Sequence, residues 1–404
     1  MTHTYLVPLL KILVLLNAVL LSVTFMTLLE RKVIAWVQVR LGPMRVGPYG
    51  SLQPIADAIK LLLKEDITPV RADRLVFTLA PIVSMVPALI AFAVIPFDRQ
   101  ATLFGYRVSL FIADVNVGLL YLVSITSIGV YGIILAGYAS NSKYPLLGGL
   151  RSSAQMVSYE LAMTMSVVGV LLMANSFSLT QIIEAQSGRT LWGWLPAWNV
   201  ASFHGGFPQI VGFLCFFIAA IAETNRVPFD LPEAESELVA GFHTEYSSFK
   251  FAMFFIAEYT SMITVSALCS ILFFGGWNSP FPATWTITYY LPSVILIPFG
   301  LWVIYDGIKY ETIFGRIILP GVGTAIAAIG AALIVFPTVN EYIQGPFWLL
   351  SKIFFFLFFY VWARGTLPRF RYDQLMNIGW KLLLPVSIAN VIVTAGFVLF
   401  RSNR

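Results

Sequence analysis

Long apolar runs separated by short polar stretches dominate this chain of 404 residues. Runs long enough to cross a bilayer, at roughly 20 residues each, fall at 6–29, 75–96, 115–138, 157–176, 207–222, 249–274, 287–305, 317–337, 347–364 and 380–400. The pattern predicts about ten transmembrane helices, the fifth the shortest. The short alternating segments of a transmembrane barrel are missing. The expected fold is therefore an all-α polytopic membrane protein, one integral membrane domain over 1–404.

Two polar stretches break the pattern. The first, 30–74, carries Gly42-Pro43, Gly47-Pro48 and Gly50, which favour turns over helix. It continues into 54–64, where Ile55, Ile59, Leu62 and Leu63 recur at helical spacing and Lys60 and Lys64 lie one turn apart. That pattern predicts an amphipathic helix lying along the membrane surface. The second, 223–248, is acidic. Seven of the 20 acidic residues lie between Glu223 and Glu258: these two with Asp230, Glu233, Glu235, Glu237 and Glu245.

Composition sharpens the class. Charged residues make up 11% and hydrophobic ones 58%, where a soluble domain carries about 25% charge. The first apolar run leads directly into Glu30-Arg31-Lys32, with no small-residue cleavage site, so it is read as a retained span. Cys215 and Cys269 lie inside apolar runs; they are expected to be buried inert thiols, and two cysteines cannot hold a four-thiolate cluster. His3, His204 and His243 are too scattered for a metal site. No glycine-rich loop follows a strand in the manner of a nucleotide site.

Basic residues fix an orientation. The stretches after odd-numbered spans hold 18 Lys and Arg, the opposite side 5, with Lys11 and Lys352 inside spans. The positive-inside rule then puts the basic loops in the cytoplasm and both termini outside.

Carboxylates carry the candidate chemistry. In helix, Glu233 and Glu237 share a face while Glu235 points elsewhere. Like charges at that distance, partly buried, raise one another's pKa, which suits proton exchange. A solvated acidic surface is the competing reading. Glu160 and Glu258 lie within apolar runs, without a basic neighbour in sequence. Intramembrane carboxylates are functional candidates by default, unless each merely pairs with a cation from another helix. Glu30-Arg31-Lys32 and the basic group Arg364, Arg369 and Arg371 serve as membrane anchors, carboxylate partners or an anionic or quinoid headgroup site; their positions alone leave all three open.

Four blocks carry a resemblance: Leu29–Asp66, Gly137–Glu160, Ala222–Phe242 (AETNRVPFDLPEAESELVAGF) and Trp362–Met376 (WARGTLPRFRYDQLM). The chain resembles the family of H-type subunits of bacterial NADH-quinone oxidoreductase, respiratory complex I, over most of its length. The resemblance implies a membrane-arm subunit at the junction with the hydrophilic arm, in a translocase that passes electrons to quinone and moves protons. Glu160, Glu223, Glu233, Glu235, Glu237 and Glu258 would line an acidic path to the antiporter-like subunits. Glu30, Arg31, Arg45, Asp57, Arg226 and Arg371 would lie along the quinone cavity or its entrance. The chain would bind no cofactor alone, with NADH, FMN and iron–sulfur clusters on partner subunits and quinone as substrate. Its expected place is the bacterial inner membrane. The family core has eight spans, so 280–340 is read as a two-helix insertion, expected at the periphery, away from the motif residues. Two rivals are a membrane anchor of a ferredoxin- or hydrogenase-type complex and a stand-alone proton-coupled transporter; the latter would show repeats and broken helices in matching positions, which are not seen. Cysteine-accessibility mapping is expected to place Asp306 to Arg316 on the cytoplasmic face, and labelling from outside would overturn this topology.

Overall fold

A computed structural model of the protein describes residues 2–98, 100–103, 106–188, 196–201, 207–230, 240–282 and 285–402. Helices dominate it. In chain order they are α1 (Thr2–Val37), α2 (Gln53–Leu63), α3 (Arg74–Ile90), α4 (Gly118–Ala139), α5 (Lys143–Ala174), α6 (Leu179–Ala185), α7 (Ile210–Glu223) and α8 (Ser248–Phe273). There follow α9 (Leu291–Ile308), α10 (Ile313–Val335), α11 (Pro337–Thr366) and α12 (Tyr372–Ser402). A short antiparallel hairpin, β1 (Gln100–Leu103) and β2 (Tyr106–Ser109), is the minor exception to the all-α expectation.

Among the described residues, nine helices are long and apolar enough to cross a membrane. They match nine of the ten predicted spans. The fifth prediction is α7, whose 14 residues span only about 21 Å, short of a hydrocarbon core of roughly 30 Å. It is a buried helix wedged among longer ones. Three further boundaries move. α1 runs on to Val37, so Glu30, Arg31 and Lys32 sit on a helix and not in a loop. α5 begins at Lys143, which places Glu160 near its middle and not one turn from its start. α12 begins at Tyr372 and contains a π-helical stretch, Ile378–Leu383.

α8 is the hub. In its most apolar window 78% of the residues are buried, against 17% in α10. Small and β-branched residues (Ala257, Thr260, Ile263, Thr264, Ala267) let neighbours approach it closely. Its two ends are tied down by polar contacts. At the start, the Ser248 hydroxyl donates to the Leu61 carbonyl at 3.0 Å and Lys250 pairs with Asp66 at 2.9 Å, holding the end of α2. At the finish, the Lys352 ammonium of α11 donates to the carbonyls of Phe274, Gly276 and Asn278 at 2.7–2.8 Å. A cation there also complements the negative end of the helix dipole.

α2 forms where the amphipathic pattern predicts it. Ile55, Ile59, Leu62 and Leu63 form an exposed apolar set, the signature of a helix whose remaining partner is lipid. α9 and α10 make the predicted insertion, a tight helical pair whose outer face exposes Phe299, Trp302 and Tyr305. The pair approaches so closely that a β-carbon at Gly300 would lie 2.7 Å from the Ala327 nitrogen and the Gly323 carbonyl oxygen. The expectation that the insertion lies away from the motif residues fails: its turn, 309–312, reaches back to the 44–49 loop, and Tyr310 accepts a hydrogen bond from the Tyr49 amide at 3.0 Å. Hydropathy locates helices but not the direction in which a hairpin leans. Because both groups hit at Gly300 are backbone, Gly300→Val is expected to separate α9 from α10 and cost about 1–3 kcal/mol, read as a lowered unfolding temperature in detergent.

Candidate functional site

The segment after α7 is folded back into the bundle by side chains far away in sequence. Gln155 of α5 donates to the carbonyls of Ala222 and Phe229, at 2.8 and 2.7 Å. Phe229 stacks on Phe370 at 5.5 Å, the Phe370 amide donates to the Pro228 carbonyl, and buried Asp230 pairs with Arg369 at 3.0 Å. Asn225, at the turn, takes a left-handed backbone (φ 50°), which asparagine accepts more readily than most residues. These contacts direct Arg226 inward, where it is 4% exposed.

Its guanidinium sits between two carboxylates, 3.6 Å from Glu30 of α1 and 3.7 Å from Glu258 of α8. It also lies over the Tyr259 ring, 4.2 Å from the centroid. The Tyr259 hydroxyl donates to Glu30 at 2.6 Å, and Arg364 of α11 forms a second ion pair with Glu30. Two acids and two guanidinium groups from four segments thus share one buried pocket of charge. A lone buried ion costs several kcal/mol, so each member depends on the others. The Arg226 separations from these two acids exceed ordinary hydrogen-bond length, which leaves its attraction to them mainly coulombic.

Glu30, Tyr259 and Arg364 also line a cleft of about 970 Å³ between α1, the 40–43 segment, α2 and α8. Its walls are largely apolar: Val23, Ile34, Leu61, Leu62, Phe249, Phe255 and Ile256. Arg31 and Asp57 line it too, paired at 2.6 Å, with Gln53 donating to Asp57. The Arg31 side chain is 52% exposed and that of Glu30 is 6% exposed, so one end of the charge set faces solvent and the other the interior. An apolar cleft with a few convergent polar groups suits a ligand with a small polar head and an apolar body.

A second cavity, about 60 Å³, lies behind the charge pocket. Glu223 and Glu258 line it with Ser84, Thr126, Thr224, Asn225 and Ser261, a polar space large enough for a few waters. Glu160 accepts a hydrogen bond from Ser127 and interacts electrostatically with Glu223. The carboxylates therefore form a series, with Glu160 and Glu223 at one end, Glu258 between the two cavities, and Glu30 at the cleft.

Of the residues singled out in sequence, Glu30, Arg31, Asp57, Arg226 and Glu258 come together around the cleft and charge pocket, and Glu160 and Glu223 continue inward. Glu258 does pair with a cation from another segment, yet it also faces the inner cavity. Arg45 does not line the large cleft; it lines a separate one of about 760 Å³ with Tyr49, Asp306, Lys309 and Glu311. Arg371 does not line the large cleft either; it is exposed at the start of α12, where its amide donates to the Gln374 side chain. Glu233, Glu235 and Glu237 lie outside the described residues. Sequence reasoning missed Tyr259, Ser127 and the pairing of Arg364. Arg364 stood out only as one member of a basic group, and no spacing rule joins it to Glu30.

A family model described as NADH dehydrogenase matches residues 10–395. The chain belongs to the NADH dehydrogenase family. It is 46% identical over 393 residues to the NADH-quinone oxidoreductase H-subunit 1 of Solibacter usitatus, covering 97% of this chain and 96% of that one. The NADH-quinone oxidoreductase H-subunit of Thermomicrobium roseum is 46% identical over 383 residues, 94% of this chain and 93% of its own. An H-subunit 2 of the same enzyme from Geobacter metallireducens is 43% identical over 401 residues, 96% and 95% of the two chains. This family member shares nearly its whole length with each of the three, the insertion region included.

His243, beside the acidic segment, is buried with its ring edge-on to Phe242, Phe251 and Phe255. Burial lowers its pKa to about 4, so it stays neutral at cellular pH. The unfolded chain binds a proton at His243 near its ordinary pKa of about 6.5, whereas the folded chain resists until about pH 4. Stability from this residue is thus present above pH 6.5 and lost as pH falls toward 4. His243→Phe is expected to flatten that part of the acid-side decline, measured as unfolding temperature against pH.

Proposed function

We propose that the chain is the H-type membrane subunit of a proton-translocating NADH:quinone oxidoreductase, helping to form the quinone cavity and the first part of its coupling path. The observation that carries this reading is that Glu258 belongs at once to the Arg226 charge pocket and to the inner cavity with Glu223. The names of the relatives favour a quinone-reducing complex over a ferredoxin- or hydrogenase-type anchor.

The large cleft would admit the quinone, its apolar walls taking the tail. NADH, FMN and iron–sulfur clusters would lie on partner subunits of the hydrophilic arm, and small and antiporter-like membrane subunits would extend the arm. Conversion of quinone to quinol takes up two electrons and two protons. Negative charge developing at the head attracts Arg364 and competes with Glu30 for it, while the Tyr259 hydroxyl offers a proton or hydrogen bond. With Arg364 drawn off, the less compensated Glu30 attracts Arg226 more strongly and loosens its pairing with Glu258. That shift alters the balance of charge across the inner cavity and so the proton affinity of Glu223 and Glu160. Coupling of this kind needs an element whose two arrangements both ends can bias; the folded-back Arg226 segment is well suited to be that element, and Glu233, Glu235 and Glu237 follow it directly in sequence.

The protein would sit in the bacterial cytoplasmic membrane, basic loops inside and both termini outside. Contact between the 309–312 turn and the first polar loop supports placing both on one side, which requires α7, short as it is, to complete a crossing together with its flanking segments. Glu160→Gln and Glu258→Gln are expected to lower coupled turnover in proteoliposomes roughly tenfold or more, with the complex still assembled. Normal pumping and turnover in both variants would refute the path.

A further inference from the structure

The α9–α10 insertion stands mostly against lipid, yet its turn makes a specific set of polar contacts with the loop that leads into the large cleft. The Tyr310 hydroxyl accepts the Tyr49 amide at 3.0 Å, and the two rings meet edge to face at 5.1 Å. Asp306 lines the same cleft as Tyr49, and its nearby carboxylate pushes the Tyr49 phenol up to about 12. Tyr310 is itself fixed, because its carbonyl accepts from Arg316 at 3.3 Å and its ring lies where a β-carbon at Gly315 would be.

The loop it holds needs holding. Tyr49 sits at φ 52°, in the left-handed region that a bulky aromatic residue adopts only under constraint. Next to it Gly50, at φ 72°, folds so tightly on Pro43 that a β-carbon there would collide with the Pro43 carbonyl. Pro43 and its neighbours Leu41 and Gly42 form a wall of the cleft. Contact therefore runs from Tyr310 and Asp306 through Tyr49 and Gly50 to the cleft wall.

We infer that the insertion is a latch for the cleft: Tyr310 and Asp306 are positioning residues that hold the 43–50 loop in the shape that sets the affinity of the cleft for its quinone. Neither touches the substrate. This rests on the proposed function of the cleft, and adds that a hairpin outside the family's eight-span core tunes its substrate affinity.

The test uses membrane vesicles carrying the whole complex, with decylubiquinone and menadione as acceptors and ferricyanide, which bypasses the cleft, as the assembly control. Tyr310→Phe keeps the ring and loses the hydroxyl; Asp306→Ala loses the acceptor, and Asp306→Asn keeps an acceptor oxygen. Tyr310→Phe and Asp306→Ala are expected to raise KM for the quinones roughly two- to tenfold, the range of one lost hydrogen bond. In both, kcat and the ferricyanide rate stay at the parent level, and Asp306→Asn restores the parent KM. An unmoved KM in both variants overturns the latch, as does a fall in kcat at constant KM. If Tyr310→Phe impairs assembly, the Asp306→Ala and Asp306→Asn pair decides by the same criterion. A parent complex that oxidises NADH with ferricyanide but reduces neither quinone overturns the proposed function, and the latch with it; a normal parent with unmoved variants sinks the latch alone.

Discussion

Four charges in one buried pocket govern this structure. Glu30, Arg226, Glu258 and Arg364 arrive from α1, the segment after α7, α8 and α11. None is tolerable alone in an apolar interior, so the four segments that bring them are bound to one arrangement. The inward fold of residues 224–230 follows from that constraint. A loop of its polarity would otherwise lie in solvent, and Gln155, Phe370 and Arg369 keep it inside. The cleft wall of α1 and the central helix α8 meet at the same place because Tyr259 shares Glu30 with the two arginines.

Within the pocket the contacts of Arg226 to the two acids are longer than the rest. Arg226 holds both carboxylates at 3.6–3.7 Å, a distance at which coulombic attraction persists but directional hydrogen bonding is weak. The buried charges hold four segments of the chain in one arrangement.

Much of this was legible in the sequence, and the failures are physical. Alternating apolar and polar runs located every long helix, because burial in lipid demands them. They did not reveal that α1 continues to Val37, since a window that meets Glu30, Arg31 and Lys32 reads as the end of a span. Glu258 was found because a carboxylate inside an apolar run is conspicuous. Tyr259 was not, because one tyrosine among 17 carries no such signal. The pairing of Arg364 with Glu30 depends on the tertiary arrangement of the first and penultimate long helices, which no local pattern encodes. The reach of Tyr310 to Tyr49 escaped for the same reason. The family resemblance supplied the charged residues that cluster at the cleft; Arg45, also named by it, lines a separate cleft beside the insertion.

The ammonium of Lys352, caged by three carbonyls at the far end of α8, has a mechanical meaning when set beside Arg364 on the same helix. The two residues lie twelve positions apart, about 18 Å along the axis. The middle of α11 is pinned to the backbone just past α8, while its last turn carries an ion pair with Glu30. Such a helix behaves as a lever on a fixed pivot. A tilt of about 3° at Lys352 carries the guanidinium end by about 1 Å over that length, enough to change an ion-pair distance without sliding one helix past another.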